Sequence, residues 1–357
     1  MDNLKKNILY QMAYRLLAVI TPLITSPIIS RALGVEKLGV YSATQAYVNY
    51  FMLFAMLGVE YYGQRQIAAV NELEEKKKTF WEIYTVQFIS AAISICVYLV
   101  SIFAFPQNRH WIMIIQGLWV LSCLFDVNWF FFGIENFKVT VIRNFMVKLI
   151  TTISIVLFIR KESDLYLYAF IMSGSIVVSQ MLLWVPILKN IRFVKPECSA
   201  VKRHVVPIAR LFIPMVAISV YHLMDKTMLD ALSIESEVGY YYAADKLINI
   251  PLGLITAIST VMLTRITNIH NNSDGNSVES MLEKSSEFMI FISIAVGFGI
   301  AAISNEFVPF FFGKGYEKCI QLMKWFVPVL FIKSLSNIVN QQYLNQLIMI
   351  NSIHMQW

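Results

Sequence analysis

Ionisable side chains stand inside stretches that are otherwise apolar enough to lie in hydrocarbon. The densest group is YHLMDKTMLD at 221–230. His222 and Lys226 are four residues apart and would share a helical face, with Asp225 beside them. In DKLINIP at 245–251, Asp245 and Asn249 share a face, Lys246 is adjacent, and Pro251 removes a backbone donor, which favours a kink. Arg15, Asp126, Lys148 and Arg210 stand in further apolar runs. A charge near the bilayer centre is costly, so each of these is a functional candidate. Two kinds of chemistry are available. The cations Arg15, Lys148, Arg210, Lys226 and Lys246 would draw an anion into a central cavity, and a pyrophosphate suits them, since Arg and Lys complement phosphate oxygens. The carboxylates Asp126, Asp225 and Asp245 could carry a coupling proton or cation. The structural alternatives are that the Asp–Lys neighbours neutralise each other or bridge helices, and that Arg15 and Arg210 extend to the headgroups.

The elements that must position these residues follow from composition. The chain has 357 residues, 57% hydrophobic and 15% charged, with a mean hydropathy of +0.60. That is too few polar residues to cover a soluble surface. The expected fold class is an all-α polytopic membrane protein. Apolar stretches of spanning length lie near 8–31, 40–62, 81–105, 111–133, 139–159, 165–188, 206–230, 239–263, 286–312 and 320–345, about ten in all. The N-terminal run MDNLKKNILYQMAYRLLAVI is interrupted by Arg15 and lacks a small-x-small cleavage site, so it reads as the first span and not as a cleaved leader. Lys76, Lys77, Lys78, Lys189, Arg192, Lys195, Lys202 and Arg203 fall on one side if spans alternate, which puts that side and the N-terminus in the cytoplasm. The basic segment 189–205 reads as a cytoplasmic linker between an N-terminal six-helix lobe, 1–188, and a C-terminal lobe, 206–357. Cys96, Cys123, Cys198 and Cys319 share no short spacing, so neither a metal motif nor a disulfide frame is indicated, and no cofactor is called for.

Two stretches nearly repeat. RALGVEKLGVYSATQ begins at Arg31 and DALSIESEVGYYYAADK at Asp230. Gly39 and Gly239 are 200 residues apart, and both stretches fall where an odd-numbered span meets an even-numbered one on the outside. This is the pattern of a parallel repeat of six helices, a plan common among secondary transporters. Two such lobes would need about 400 residues, so the C-terminal lobe, with about four helices, is expected to be incomplete.

Enzyme classes are disfavoured. No histidine begins an H-x-x-x-x-D acyltransferase motif: His110, His204 and His222 are followed five residues later by Ile115, Ala209 and Thr227. A soluble acidic loop suited to a glycosyltransferase is missing, as is the large external loop of a polymerase. The aromatics of NWFFFGIENF at 128–137 and GYYYA at 239–243 fit either an interfacial belt or a stacking surface for sugar rings.

RALGVEKLGVYSATQAYVNYF, NWFFFGIENFK and SVYHLMDKTMLDALSIESEVGYYYAADKLINIPLGLITAISTVMLTR, extended by FFGKGYEKC and NQQYL, resemble the polysaccharide repeat-unit flippases. These are the Wzx-type O-antigen transporters of the multidrug/oligosaccharidyl-lipid/polysaccharide (MOP) superfamily. The resemblance covers residues 1–345. It implies a bacterial inner-membrane protein with two six-helix lobes around a cationic cavity, moving an undecaprenyl-pyrophosphate-linked oligosaccharide to the periplasmic leaflet with proton or ion coupling. It further implies membrane lipids, a polysaccharide polymerase and a chain-length regulator as partners, and no nucleic acid. Other members of the superfamily, a drug or lipid II exporter, and a scaffolding remnant of the assembly complex stay as alternatives. Two departures from the family pattern stand out. Thr264 occupies a position where the family has Pro, and the ending NQLIMINSIHMQW does not resemble the family's continuation, so a C-terminal truncation is expected.

Overall fold

The computed structural model describes the backbone of residues 2–270 and 275–339, and side chains within 17–339 except at 18, 221, 254, 257–282 and 337. Among the described residues every regular element is helical. In chain order these are α1 (Asp2–Met56), α2 (Val59–Ala69), α3 (Leu73–Ser101), α4 (Gln107–Phe125), α5 (Asn128–Gly133), α6 (Phe137–Phe158), α7 (Leu165–Asn190), α8 (Cys198–Leu232), α9 (Glu235–His270), α10 (Gly275–Phe312) and α11 (Lys318–Ile338). Seven segments among the described residues are long and apolar enough to cross a membrane: Leu73–Ala104, Gln107–Gly133, Phe137–Phe158, Glu162–Asn190, Cys198–Val220, Glu283–Phe312 and Lys318–Ser336. The first, second and eighth expected spans are helical without being among these seven. The first and eighth contain side chains outside the described residues, as does the end of the tenth.

Helix α1 is two helices joined at Gly34, whose φ of 73° and ψ of 171° lie in a region that favours glycine. The equivalent place in the second stretch is Ser233, where α8 gives way to α9 through extended backbone. Both breaks follow an Ala-Leu pair, as the repeat requires. Pro251 does not interrupt α9, which is helical on both sides of it.

The helices gather into two compact units. One is built on Ala32–Gly239; the other combines Arg15–Arg31 with the chain from Tyr240 onward. In the first unit α4 packs on α7, α3 on α4, and α8 on α2 and α3. Its core is aromatic. Trp129, Phe130 and Phe131 are buried with Phe80, Ile67 and Leu183, and Phe80 stacks on Trp129 at 5.4 Å. Neither role expected for the NWFFF aromatics holds for these three, because α5 packs on α2 and buries them in the interior. A Cβ on Gly63 would come within 2.5 Å of the Trp129 ring, so that helix crossing requires glycine.

In the second unit α10 and α11 pack together, and Ile248, Leu252, Ile255, Met289 and Leu330 form the core. The FFGKGYEKC motif makes the α10–α11 turn with Gly313 and Gly315 at φ of 95° and 90°. The arm from Arg15 to Arg31 is tied to this turn. The Ser30 hydroxyl donates to the Phe312 carbonyl at 3.0 Å, the Tyr316 hydroxyl donates to the Ser30 carbonyl at 3.2 Å, and Arg31 donates to the carbonyl of Phe310.

Candidate functional site

A cavity of about 490 Å³ opens in the second unit, lined by Val19 and Pro22 of α1 and by one face of α9. The α9 residues are Tyr242, Asp245, Lys246, Asn249, Ile250, Gly253 and Thr256. Their three- and four-residue spacing keeps them on a single stripe. The stripe begins polar and turns apolar at Ile250 and Gly253. The Lys246 ammonium donates to the Tyr242 hydroxyl at 3.1 Å and lies 5.2 Å from the centre of the same ring. One turn along, the Asn249 amide donates to the Asp245 carboxylate at 2.9 Å and to its carbonyl at 2.8 Å. A cation, a carboxylate, an amide and an aromatic ring therefore share one wall, opposite an apolar one.

Asp245 and Lys246 are thus the two predicted site residues brought together in this cavity. The side chain of Arg15 lies outside the described residues. Lys148 on α6 and Lys226 on α8 are half-buried, while Arg210 and Asp225 on α8 are exposed on the protein surface; all four belong to the first unit.

Asp126 sits in the break between α4 and α5, inside a polar network. Its carboxylate accepts from the backbone N–H of Asn128 at 3.0 Å, the Asn128 amide at 2.7 Å and the Gln180 amide at 2.8 Å. Arg143 completes the group by donating to Gln180 at 2.8 Å, to Asn128 at 2.8 Å and to the Ser179 carbonyl at 3.0 Å. The break leaves the last carbonyls of α4 without helical partners, which is costly in hydrocarbon. Those of Cys123, Leu124 and Phe125, with the Asp126 carbonyl after them, are met by side chains. Gln87 donates to Cys123 and Asp126, both at 2.7 Å. Tyr84 serves Leu124 at 3.1 Å, and Trp184 serves Phe125 at 3.0 Å. Sequence reading missed Gln87, Asn128, Arg143 and Gln180 as partners of Asp126. The Asp126-x-Asn128 spacing of an Asx-turn was the one local signal for the break.

Two further clusters lie in the first unit. Arg109, at the start of α4, donates to both oxygens of Asp230 at 2.9 and 2.8 Å and to Glu235 at 2.9 Å, so it fastens both sides of the α8–α9 turn. His204 on α8 lies between the Tyr62 hydroxyl, 2.7 Å from Nδ1, and the Glu82 carboxylate, 2.9 Å from Nε2.

Comparison with known proteins gives this arrangement a family. The profile of the family described as "Polysaccharide biosynthesis protein" matches residues 4–270. The chain belongs to that family. This member is 23% identical over 348 residues to a proposed O-antigen transporter of Escherichia coli (strain K12), covering 95% of this chain and 83% of that one. It is 27% identical over 198 residues to a proposed lipid II flippase, MurJ, of Haemophilus influenzae, covering 52% of this chain and 37% of that one. Its fold is that of the multidrug MATE transporters. An inward-facing MATE transporter of the MOP superfamily superposes with a TM-score of 0.61 at 12% identity, covering 92% of this chain and 80% of that one. A second, DinF-BH, superposes with a TM-score of 0.55 at 16% identity, covering 95% and 82%.

Proposed function

We propose that this family member is a flippase that moves an undecaprenyl-pyrophosphate-linked oligosaccharide repeat unit across the bacterial inner membrane for O-antigen or other surface polysaccharide synthesis. In this reading the N-terminus and the 189–205 linker are cytoplasmic, and the substrate leaves on the periplasmic side. The lobes by chain order are 1–188 and 206–357. The observation that carries the proposal is the α9 cavity, where Lys246 is held beside an aromatic ring and across from an apolar wall. A lipid pyrophosphate needs a cation for its phosphates and an apolar surface for its first isoprene units, and a saccharide needs an aromatic face and hydrogen-bonding groups. Arg15, Lys148, Arg210 and Lys226 are proposed as further cations that meet the phosphates during transport. Proton or cation coupling is proposed for the carboxylates Asp126, Asp225 and Asp245. A polysaccharide polymerase and a chain-length regulator act on the product. The match to a proposed lipid II flippase favours one second reading, a lipid-linked peptidoglycan precursor as cargo, which presents the same pyrophosphate.

Complementation tests this. A strain lacking its own flippase receives the chain and is scored for surface polysaccharide, beside Lys246→Ala, Lys226→Ala and Lys148→Ala. Rescue by the parent chain and a loss of at least tenfold in Lys246→Ala are expected. Full rescue by all three variants would remove these cations from the mechanism. Rescue instead of a strain lacking its lipid II flippase would transfer the proposal to that cargo.

A further inference from the structure

The segment between α7 and α8 is fastened along the start of α3. Its backbone is non-helical from Ile191 to Glu197. The Trp81 indole donates to the Arg192 carbonyl at 3.0 Å, and the Phe193 ring meets the Trp81 ring edge-on at 4.9 Å. Ile191 is buried in the core of the first unit. These anchors use a carbonyl and two apolar side chains, so no charged side chain of the segment is spent on them. Lys189, Arg192, Lys195, Lys202 and Arg203 are all exposed. The start of α3 adds to the group: Lys77 bonds the Glu74 carboxylate at 2.6 Å, and Arg192 and Lys78 also lie within electrostatic reach of it. Residues 72–78 and 189–205 together hold eight Lys and Arg against four Glu, so a clear excess of positive charge is left over.

Apolar side chains stand beside these charges. Leu188 is 70% exposed and Phe193 68% exposed. The spanning segments Glu162–Asn190 and Cys198–Val220 meet at this place. It therefore lies where hydrocarbon gives way to headgroups, a depth at which irregular backbone is tolerated. Orientation in the membrane requires only that Lys and Arg stay on one side. It does not require that the segment carrying them be fixed, nor that an aromatic ring be held outward between two of them. A segment already fixed loses little conformational freedom on taking a ligand. A phospholipid offers a phosphate and an acyl chain at one depth, and a headgroup of net negative charge suits the excess of cations. An acidic peptide would stay above the headgroups, out of reach of Leu188 and Phe193. We infer that the α7–α8 segment is a binding site for an anionic phospholipid, with Arg192 and Lys195 on the headgroup phosphate and Leu188 and Phe193 against the first methylenes of the acyl chains. The site belongs to the first unit and is independent of the cargo of the α9 cavity.

The purified full chain in a neutral detergent is titrated with phosphatidylglycerol and with phosphatidylethanolamine, and bound lipid is counted by native mass spectrometry. Phosphatidylglycerol is expected to bind about tenfold more tightly or better, since each Lys or Arg near an anionic headgroup strengthens binding about fivefold. Arg192→Gln with Lys195→Gln lowers that preference about fivefold or more by the same scale. Arg160→Gln with Lys161→Gln, an exposed basic pair just after α6, keeps it. Phe193→Ser weakens both lipids about threefold, the scale of an apolar side chain partly withdrawn from acyl contact. Inorganic phosphate at millimolar concentration does not displace phosphatidylglycerol. Equal binding of the two phospholipids overturns the inference. So does a preference kept in Arg192→Gln with Lys195→Gln, parent-like binding by Phe193→Ser, or an equal loss in the Arg160→Gln and Lys161→Gln control. Displacement by inorganic phosphate would give these cations to a free anion and overturns it as well. The substituted side chains are exposed and the preference is a ratio taken within each variant, so partial unfolding does not imitate the expected result. None of these outcomes bears on the flippase reading, which complementation tests.

Discussion

Gly39 and Gly239 are each in contact with the turn that precedes the other. A Cβ on Gly39 would fall 1.8 Å from the carbonyl oxygen of Glu235, and a Cβ on Gly239 would fall 2.0 Å from that of Val35. Glycine and carbonyl alike are displaced by 200 residues from one contact to its counterpart. All four residues lie in the first unit. Reciprocal contact of this kind is what a two-fold relation between like surfaces produces.

Neither glycine can take a side chain without moving backbone. Gly39→Ala and Gly239→Ala are each expected to lower stability by about 1–3 kcal/mol, the usual cost of forcing an extra methyl into a closed contact. Because each substitution opens the same crossing, the double variant is expected to cost clearly less than the two single costs added. Thermal unfolding in detergent, followed by size-exclusion recovery, measures this. Parent-like recovery of either single variant would refute the tight crossing.

The ion triad of Arg109, Asp230 and Glu235 braces the same turn. The side chains are 13%, 20% and 30% exposed, so solvent screens the attraction only in part. Arg109→Ala leaves two carboxylates facing each other and is expected to cost about 2–3 kcal/mol, the scale for hydrogen bonds to charged groups. Arg109→Lys keeps the charge but not the two-oxygen grip and should recover less than half of that. A double-mutant cycle between Arg109→Ala and Asp230→Ala is expected to show coupling above 1 kcal/mol, roughly. A coupling near zero would mean that the contact is incidental.

Asp126 acts in its network purely as an acceptor, from one backbone N–H and two side-chain amides. Asp126→Asn brings an NH2 group against those donors, and a cost of about 1–3 kcal/mol is expected from the donor left without a partner. Gln180→Leu removes the link between Asp126 and Arg143 and should cost a similar amount, while Asp126→Asn with Gln180→Leu should fall short of the sum. Unfolding midpoints of the three variants decide it. If Asp126→Asn keeps parent stability but abolishes transport, Asp126 belongs to the coupling machinery instead of the scaffold.

Hydropathy made the helical plan of this chain readable, because long apolar runs admit few other structures in a membrane. The repeat around Gly39 and Gly239 was readable as spelling, and the contact between its copies explains why both keep glycine. The aromatics of α5 were not readable. Trp129, Phe130 and Phe131 would look the same in an interfacial belt as in a core, and only their packing against Ile67, Phe80 and Leu183 decides between them. The polar partners of Asp126 were hidden for a different reason. Gln87 and Gln180 are neutral and lie 39 and 54 residues from it in the chain, so no charge pattern announces them. At the cavity, Asp245 and Lys246 stood out as charges, whereas Tyr242 was one of three adjacent tyrosines until it was seen to line the wall.

The tie between the Arg15–Arg31 arm and the α10–α11 turn bears on how the chain is made. Ser30 and Phe312 meet across 282 residues. The arm leaves the ribosome first, yet its partners are synthesised near the far end of the described chain. Until α10 and α11 arrive, Ser30 keeps its local bond to the Pro27 carbonyl at 3.1 Å but lacks its long-range partners Phe312 and Tyr316, and contacts so distant in sequence form late. The arm therefore docks only once α10 and α11 are in place. A fault in its late docking would produce a protein with every helix inserted and the second unit still open.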